Sequence, residues 1–141
     1  MKLVPDLIHD QKFATVTPKT TVRAAAQTMT EHNVDAILVV ENARLAGIFS
    51  EGDLVKRVIA HSLDPDAVTV AEVMTKNPDT LAPGTDVREA MRLMVQNGYR
   101  HIPVLDGQRI VGMVSERDIF ANSVKSIQSG VSALAKNLLQ G

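Results

Sequence analysis

The chain has 141 residues, 45% of them hydrophobic and only 3% aromatic, and 15 Lys and Arg face 16 Asp and Glu for a formal net charge of -1. That balance, without long runs of like charge, argues against nucleic acid as a partner, and the absence of cysteine excludes disulfides, thiolate metal sites and cysteine nucleophiles. No apolar stretch approaches the roughly 20 residues that cross a bilayer, and Met1-Lys2-Leu3-Val4-Pro5-Asp6 lacks the apolar core of a signal peptide, so a cytoplasmic protein is expected.

Leu3, Leu7 and Ile8, with Pro5 in a first-turn position, predict a short lead-in helix within residues 3–12. Thr15-Val16-Thr17-Pro18 reads as extended. Val22, Ala25, Ala26 and Met29 then fall at helical spacing behind Thr21 as N-cap, with Asn33 as C-cap. The apolar run Ala36 to Val40 is a strand, Glu41 to Arg44 a turn, Leu45 to Phe49 a second strand, and Ser50 opens a helix reaching about Ala60. Residues 61–69 form a linker, and Val70 to Met74 a short helix. The order then restarts with extended Thr80 to Pro83, a helix face of Val87, Ala90, Met91 and Met94, and Asp86 with Glu89 as a capping-box-like pair. Gly98 stands where Asn33 did, Ile102 to Leu105 is the next strand, Asp106-Gly107 a turn, and Ile110 to Val114 the strand before Ser115 opens the closing helix.

One constant offset of 65 relates Pro18 to Pro83, Gly47 to Gly112 and Asp53 to Asp118, and fourteen of 42 positions from Thr15 to Lys56 are identical in the second copy. The chain is therefore a duplication. A mixed α/β (α+β) fold is expected, with two β-α-β-β-α units related by a pseudo-twofold axis, because a unit this small cannot cover both sheet faces alone. Residues 1–68 are read as the first unit with its lead-in and linker, 69–122 as the second, and 123–141 as a C-terminal amphipathic helix. In that tail Val124, Ile127, Val131, Leu134 and Leu138 make a heptad-like seam weakened only by Gly130. The seam is read first as folding back onto its own domain, and second as packing on another subunit or a partner.

In each copy a strand delivers Ser and Asp to a helix N-terminus: Gly47-Ile48-Phe49-Ser50-Glu51-Gly52-Asp53 and Gly112-Met113-Val114-Ser115-Glu116-Arg117-Asp118. Such a terminus presents free N–H groups to an anion, and a carboxylate one turn inside can accept both hydroxyls of a ribose. The same residues also suit a plain helix cap. Arg117 at that terminus opposes the dipole unless an anion is bound.

The doubled Gly-to-Asp motif, the extended segments ending at Pro18 and Pro83, and the strand Ile102-Pro103-Val104-Leu105-Asp106 resemble the tandem cystathionine-β-synthase (CBS) domain pair, or Bateman module, over residues from about 3 to 122. The resemblance implies two units stacked into a flat disc, with two clefts for adenosine compounds such as AMP, ADP, ATP, NAD or S-adenosylmethionine. It implies one cleft in which Asp118 takes the ribose hydroxyls, Ser115 the ribose or phosphate, Met113 supplies an apolar wall, and Thr17 and Val34 to Ala36 flank adenine. The mirror cleft would use Asp53, Ser50 and Ile48 with Ala82, Tyr99 and Arg100. Because Arg100-His101 stands just before a strand where the first unit has Asp35-Ala36, the Asp118 cleft is expected to tolerate phosphate and the Asp53 cleft to be weaker. Arg100-His101 can also be read as a solvated pair at a strand edge, and Tyr99 as a cover for the core.

The leading expectation is a stand-alone regulatory module, a homodimer that binds an adenine nucleotide and signals by a change in packing. It needs no cofactor, and any protein it regulates acts in trans. The alternative is an interaction module with empty clefts. An enzyme is not expected, since there is no Walker loop, no paired His ligands among His9, His32 and His61, and no Ser-His-Asp spacing.

Overall fold

The computed structural model describes residues 1–140. In the first half, β1 (Thr15–Val16) leads to α1 (Val22–Glu31), then β2 (Ala36–Glu41) and β3 (Arg44–Ser50). Thr21 caps α1 by accepting the Ala24 N–H at 3.1 Å, and Val22, Ala25 and Met29 form its buried stripe. The helix stops at Asn33, whose left-handed φ of 51° a short polar side chain tolerates. Left-handed Asn42 and Ala43 turn β2 into β3 as a two-residue hairpin. The next helix, α2 (Glu51–Asp53), continues into the wider-pitched turns Leu54–Ile59, then come α3 (Val70–Val73) and β4 (Thr75–Lys76). β1 lies parallel to β2 and β4 antiparallel to β3, giving the order β1-β2-β3-β4. The second half supplies α4 (Val87–Asn97), β5 (His101–Asp106), β6 (Arg109–Ser115) and α5 (Glu116–Gln140).

The duplication is legible in the register. Ala36 opposes Ser50 as His101 opposes Ser115, and Val39 opposes Gly47 as Val104 opposes Gly112. The pairing slips at the same place in both hairpins, after Val39 in one, after Val104 in the other. Leu81 bridges Val104 in parallel, as Val16 does Val39. The expected pair of mixed α and β units is what the chain forms.

Each unit has its own core, and a third cluster joins them. Phe49, Ile37 and Val39 pack with the α1 stripe, and Ile102, Val104 and Val114 with α4. Between them, Leu38, Ile48 and Ala36 meet Ile110, Met113 and Phe13. Ile48 and Met113 are equivalent positions, so the two sheets touch across the pseudo-twofold axis.

The lead-in segments are exchanged. Leu3 and Ile8, which sequence order places with the first unit, are buried in the second core, whereas Val70, Val73 and Met74 are buried in the first. The backbone repeats this: Leu3 N–H donates to Thr85 O at 2.8 Å and Val4 N–H to Pro83 O at 2.9 Å, while Val70 N–H donates to Thr20 O at 2.8 Å and Ala71 N–H to Pro18 O at 3.2 Å. Each unit is thereby closed by the chain segment that precedes the other.

Several local expectations are corrected. The predicted lead-in helix is a single wide turn closed by Ile8 N–H to Leu3 O, with Val4 extended and a cis Val4–Pro5 bond. Met91 faces outward, and Glu89 turns from the N-cap to pair with Arg92 at 2.6 Å, leaving Asp86 to cap α4 through the Arg88 N–H. The tail is no separate helix: nothing between Ile119 and Val124 breaks the helix, so α5 runs 25 residues without a joint. Its seam does not fold back, since Ile127, Val131, Leu134 and Leu138 are all exposed. Among the described residues no helix is long and apolar enough to cross a membrane.

Candidate functional site

Both motifs end a strand on a serine that caps the following helix. Asp53 N–H donates to Ser50 Oγ at 3.3 Å, and Asp53 Oδ2 accepts the Ser50 N–H at 3.0 Å and its hydroxyl at 3.2 Å. In the second motif Asp118 N–H donates to Ser115 Oγ at 3.0 Å and Asp118 Oδ2 accepts the Ser115 N–H at 3.2 Å. The cap and the proposed ribose site are therefore the same residues. The carboxylates keep capacity beyond the cap, because each oxygen carries two lone pairs and Oδ1 is outside the box. Around Asp53, Oδ1 has the Arg57 guanidinium at 3.5 Å, and Arg57 also donates to Met74 O at 2.9 Å. Arg57 thus ties the acid to the C-terminal end of α3.

At the first motif a cavity of about 260 Å³ opens over Ile48, Ser50 and Asp53, walled by Thr75, Asn77, Pro78 and Asp79 on one side and by Tyr99 and His101 on the other. Tyr99 is fixed by donating to Asp79 Oδ2 at 2.6 Å while accepting from Asn97 Nδ2 at 3.2 Å. Burial, and then the Asp79 carboxylate, push the Tyr99 phenol above its ordinary value, so it stays a neutral donor. His101 also borders a second recess of about 300 Å³, lined by Asp35, Arg100, Ser115, Glu116, Arg117 and Phe120. Side by side, the two hollows offer a pocket lined by Ile48, Ser50 and Asp53 next to one carrying two guanidinium groups and the first turn of α5.

Arg100 and His101, expected to serve the Asp118 cleft, both line the recess beside Ser115, and Asp35 lines it with them. Asp35 and His101 meet across the halves with Nε2 and Oδ1 2.7 Å apart, and His101 is nearly buried there. The leading ends of β2 and β5 both reach the axis, which brings the two side chains within hydrogen-bond distance. Burial raises the Asp35 carboxyl, but the His101 hydrogen bond and charge outweigh it and hold the value below the usual 3.8. A depressed carboxylate contributes stability that is complete above its unfolded value and vanishes as pH falls through the folded one. The stability gap between wild type and Asp35→Asn, read by thermal unfolding, is therefore expected to narrow as pH falls below about 4 and to close once Asp35 is protonated in the folded chain.

Of the other sequence-derived positions, Ala36 is buried in the central cluster, Met113 half-buried beside it, and Val34 partly exposed. Thr17 and Ala82 lie on exposed turns before α1 and α4, outside both hollows. Arg100 lines the recess beside Ser115 and not the Asp53 cavity. The wall from Thr75 to Asp79 lies outside the sequence expectations; the Asn77-Pro78 pair, with Asn77 at φ 47°, is the one local signal of its turn. On the second unit Gln11 occupies the place of β4: its side-chain amide donates to Met113 O at 3.1 Å and accepts the Met113 N–H at 2.8 Å, as a paired strand residue would. Among the described residues no cluster of His, Asp or Glu could hold a metal ion.

A duplicated α+β unit with exchanged lead-ins, each strand-to-helix junction carrying Ser and Asp, defines a tandem two-unit module. The chain belongs to the CBS-domain family, whose model matches residues 6–60 and 70–125. It is 34% identical over 130 residues to the CBS domain-containing protein YhcV of Bacillus subtilis (strain 168), covering 92% of this chain and 91% of that one. It is 37% identical over 115 residues to the mitochondrial CBS domain-containing protein CBSX3 of Arabidopsis thaliana, covering 78% of this chain but 56% of the relative. The chain thus spans about half the length of that curated relative, and less of other plant relatives such as CBSCBSPB5, at 24%. A solved CBS-domain protein from Burkholderia ambifaria MC40-6 superposes with a TM-score of 0.82 at 30% identity, over 86% of this chain and 93% of that one. The CBS domain protein PAE2072 of Pyrobaculum aerophilum, solved in complex with AMP, shares the fold at 22% identity with a TM-score of 0.76, over 84% and 89%.

Proposed function

We propose that this chain is a regulatory module that binds an adenine nucleotide between its two units and passes occupancy on through packing, without a catalytic step of its own. The observation that carries the reading is the cavity gathering Ile48, Ser50 and Asp53 from one unit with Tyr99 and His101 from the other. A ligand there bridges the halves, so binding energy acts on their relative packing. In this reading the ribose hydroxyls bond Asp53 and Ser50, adenine lies along Ile48 and Tyr99, and phosphate extends past His101 to Arg100 and Arg117. Asp118, Ser115, Met113 and Val34 provide the corresponding second site. The AMP bound to PAE2072 supports the ligand class; AMP, ATP and NAD share the adenosine that the cavity would recognise.

Calorimetric titration tests it with AMP and adenosine against wild type and Arg100→Ala. AMP is expected to bind wild type more tightly, and Arg100→Ala to lose about tenfold for AMP while leaving adenosine within twofold, since a charge-assisted contact contributes about 1.5–3 kcal/mol. Equal losses for both ligands sink the phosphate assignment.

A second reading, an interaction module whose clefts stay empty, is favoured by the exposed Met91, Val95 and Phe120 along α4 and α5. A ligand at a hundred times its dissociation constant adds about 2.7 kcal/mol of apparent stability. Absence of any thermal shift with AMP, ATP or NAD decides for this second reading.

A further inference from the structure

We propose that Asp79, held in place by Tyr99, reads the base of the bound nucleotide and selects a purine with an amine at position 6 over one with a carbonyl there. The inference rests on the nucleotide reading of the Asp53 cavity and adds a specificity residue to it. The Asn77-Pro78 turn, with Asn77 at φ 47°, carries the chain off β4 and sets Asp79 on the cavity wall beside Tyr99. The Tyr99 hydroxyl gives its proton to Asp79 Oδ2 at 2.6 Å, and its oxygen accepts the Asn97 amide at 3.2 Å. Among the described residues Asp79 makes no other hydrogen bond and no ion pair. Its Oδ1 therefore offers lone pairs that no donor of the chain fills, and the residue is exposed to whatever enters the cavity.

This corner accepts hydrogen bonds and has no proton left to donate. The 6-amino group of adenine brings two N–H donors to it, whereas hypoxanthine and guanine set a carbonyl oxygen against the carboxylate with no proton between them. The same charge gives the ligand a direction. Asp79 and Asp53 both line this cavity and repel a phosphate, while Arg100 and Arg117 line the recess next to it and attract one. The base is thus turned toward Asp79, with the half-buried Tyr99 ring as a flat surface for it. The offset of 65 that relates the halves puts Ala14 at the place of Asp79 and Val34 at the place of Tyr99. Neither side chain can accept a hydrogen bond, so the discrimination is confined to the Asp53 cavity.

Tyr99 is the chain's one tyrosine and there is no tryptophan, so tyrosine fluorescence reports on this cavity. Titrated with AMP and with inosine monophosphate, which carries a carbonyl at position 6, wild type is expected to bind AMP at least about tenfold more tightly, the effect of one charge-assisted hydrogen bond. Asp79→Asn still accepts from the Tyr99 hydroxyl and adds an amide N–H that suits a carbonyl. Its AMP affinity is expected to fall about tenfold and its preference to shrink to within about threefold. Tyr99→Phe, followed by calorimetry, keeps the ring but releases Asp79, and is expected to narrow the preference with a smaller loss for AMP. Equal affinities in wild type, or an undiminished preference in either variant, overturns the proposal and leaves the nucleotide reading standing. Binding of neither nucleotide by wild type, by fluorescence and by calorimetry, removes that reading and this inference together.

Discussion

Asp53→Asn is expected to weaken AMP and adenosine alike by about 100-fold, the largest loss any single cleft substitution should produce. Two hydroxyls on one carboxylate amount to two charge-assisted hydrogen bonds, each contributing about 1.5–3 kcal/mol in a site shielded from water. The neutral amide keeps the shape and can still accept from the Ser50 N–H, so the helix cap survives in part and the fold is not the cause of the loss. The matched Asp118→Asn separates the two motifs. If it abolishes binding while Asp53→Asn stays within twofold of wild type, the nucleotide sits at the second motif and the Asp53 cavity is not its site. A loss for AMP only, with adenosine unaffected, is equally damaging, because a ribose contact cannot distinguish the two ligands.

What the sequence makes legible here is what is local and repeated. The constant offset, the two hairpins, the caps at Thr21, Ser50 and Ser115 and the seam of the tail all follow from spacing, and all are present. What it hides is carried by contacts between distant segments. The exchange of lead-ins leaves no trace in the chain order, since Leu3 and Val70 look equally suited to either core. β4 has two residues, too few to carry a strand period, so the wall from Thr75 to Asp79 cannot be read from it. Gln11 substitutes a side chain for a strand, which no pattern of apolar residues can announce. The Asp35–His101 pair is hidden for a related reason: each residue looks like a local feature at the head of a strand, but their pairing depends on β2 and β5 meeting at the axis. The expected break between residues 122 and 123 treats the end of the repeat as a boundary, although no glycine or proline there obliges the helix to stop.

The paired motif glycines give the second large expectation, because equivalent positions differ in what surrounds them. Gly47→Ala is expected to destabilise by about 3 kcal/mol, the upper part of the range for overpacking a closed site. A Cβ at Gly47 would lie 2.5 Å from the Met74 sulfur and 2.7 Å from the Thr75 carbonyl oxygen. Met74 can turn aside, but Thr75 belongs to β4 and is paired with β3 through Ile48, so the backbone itself must withdraw. At Gly112 the nearest atoms are Gln11 Oε1 at 2.5 Å and an Ile8 methyl at 3.1 Å, both ends of side chains. Gln11 can rotate away, at the loss of its two bonds to Met113, and about 1–2 kcal/mol is expected for Gly112→Ala. Urea unfolding of both variants checks the order, and a cycle with Gln11→Ala checks the cause. If Gln11 is what an added methyl strikes, Gly112→Ala and Gln11→Ala together cost less than the sum of the two, whereas Gly47→Ala and Gln11→Ala simply add. Equal costs at the two glycines would mean that β4 yields as easily as a glutamine side chain, and the rigid wall assigned to the Asp53 cavity would then be wrong as well.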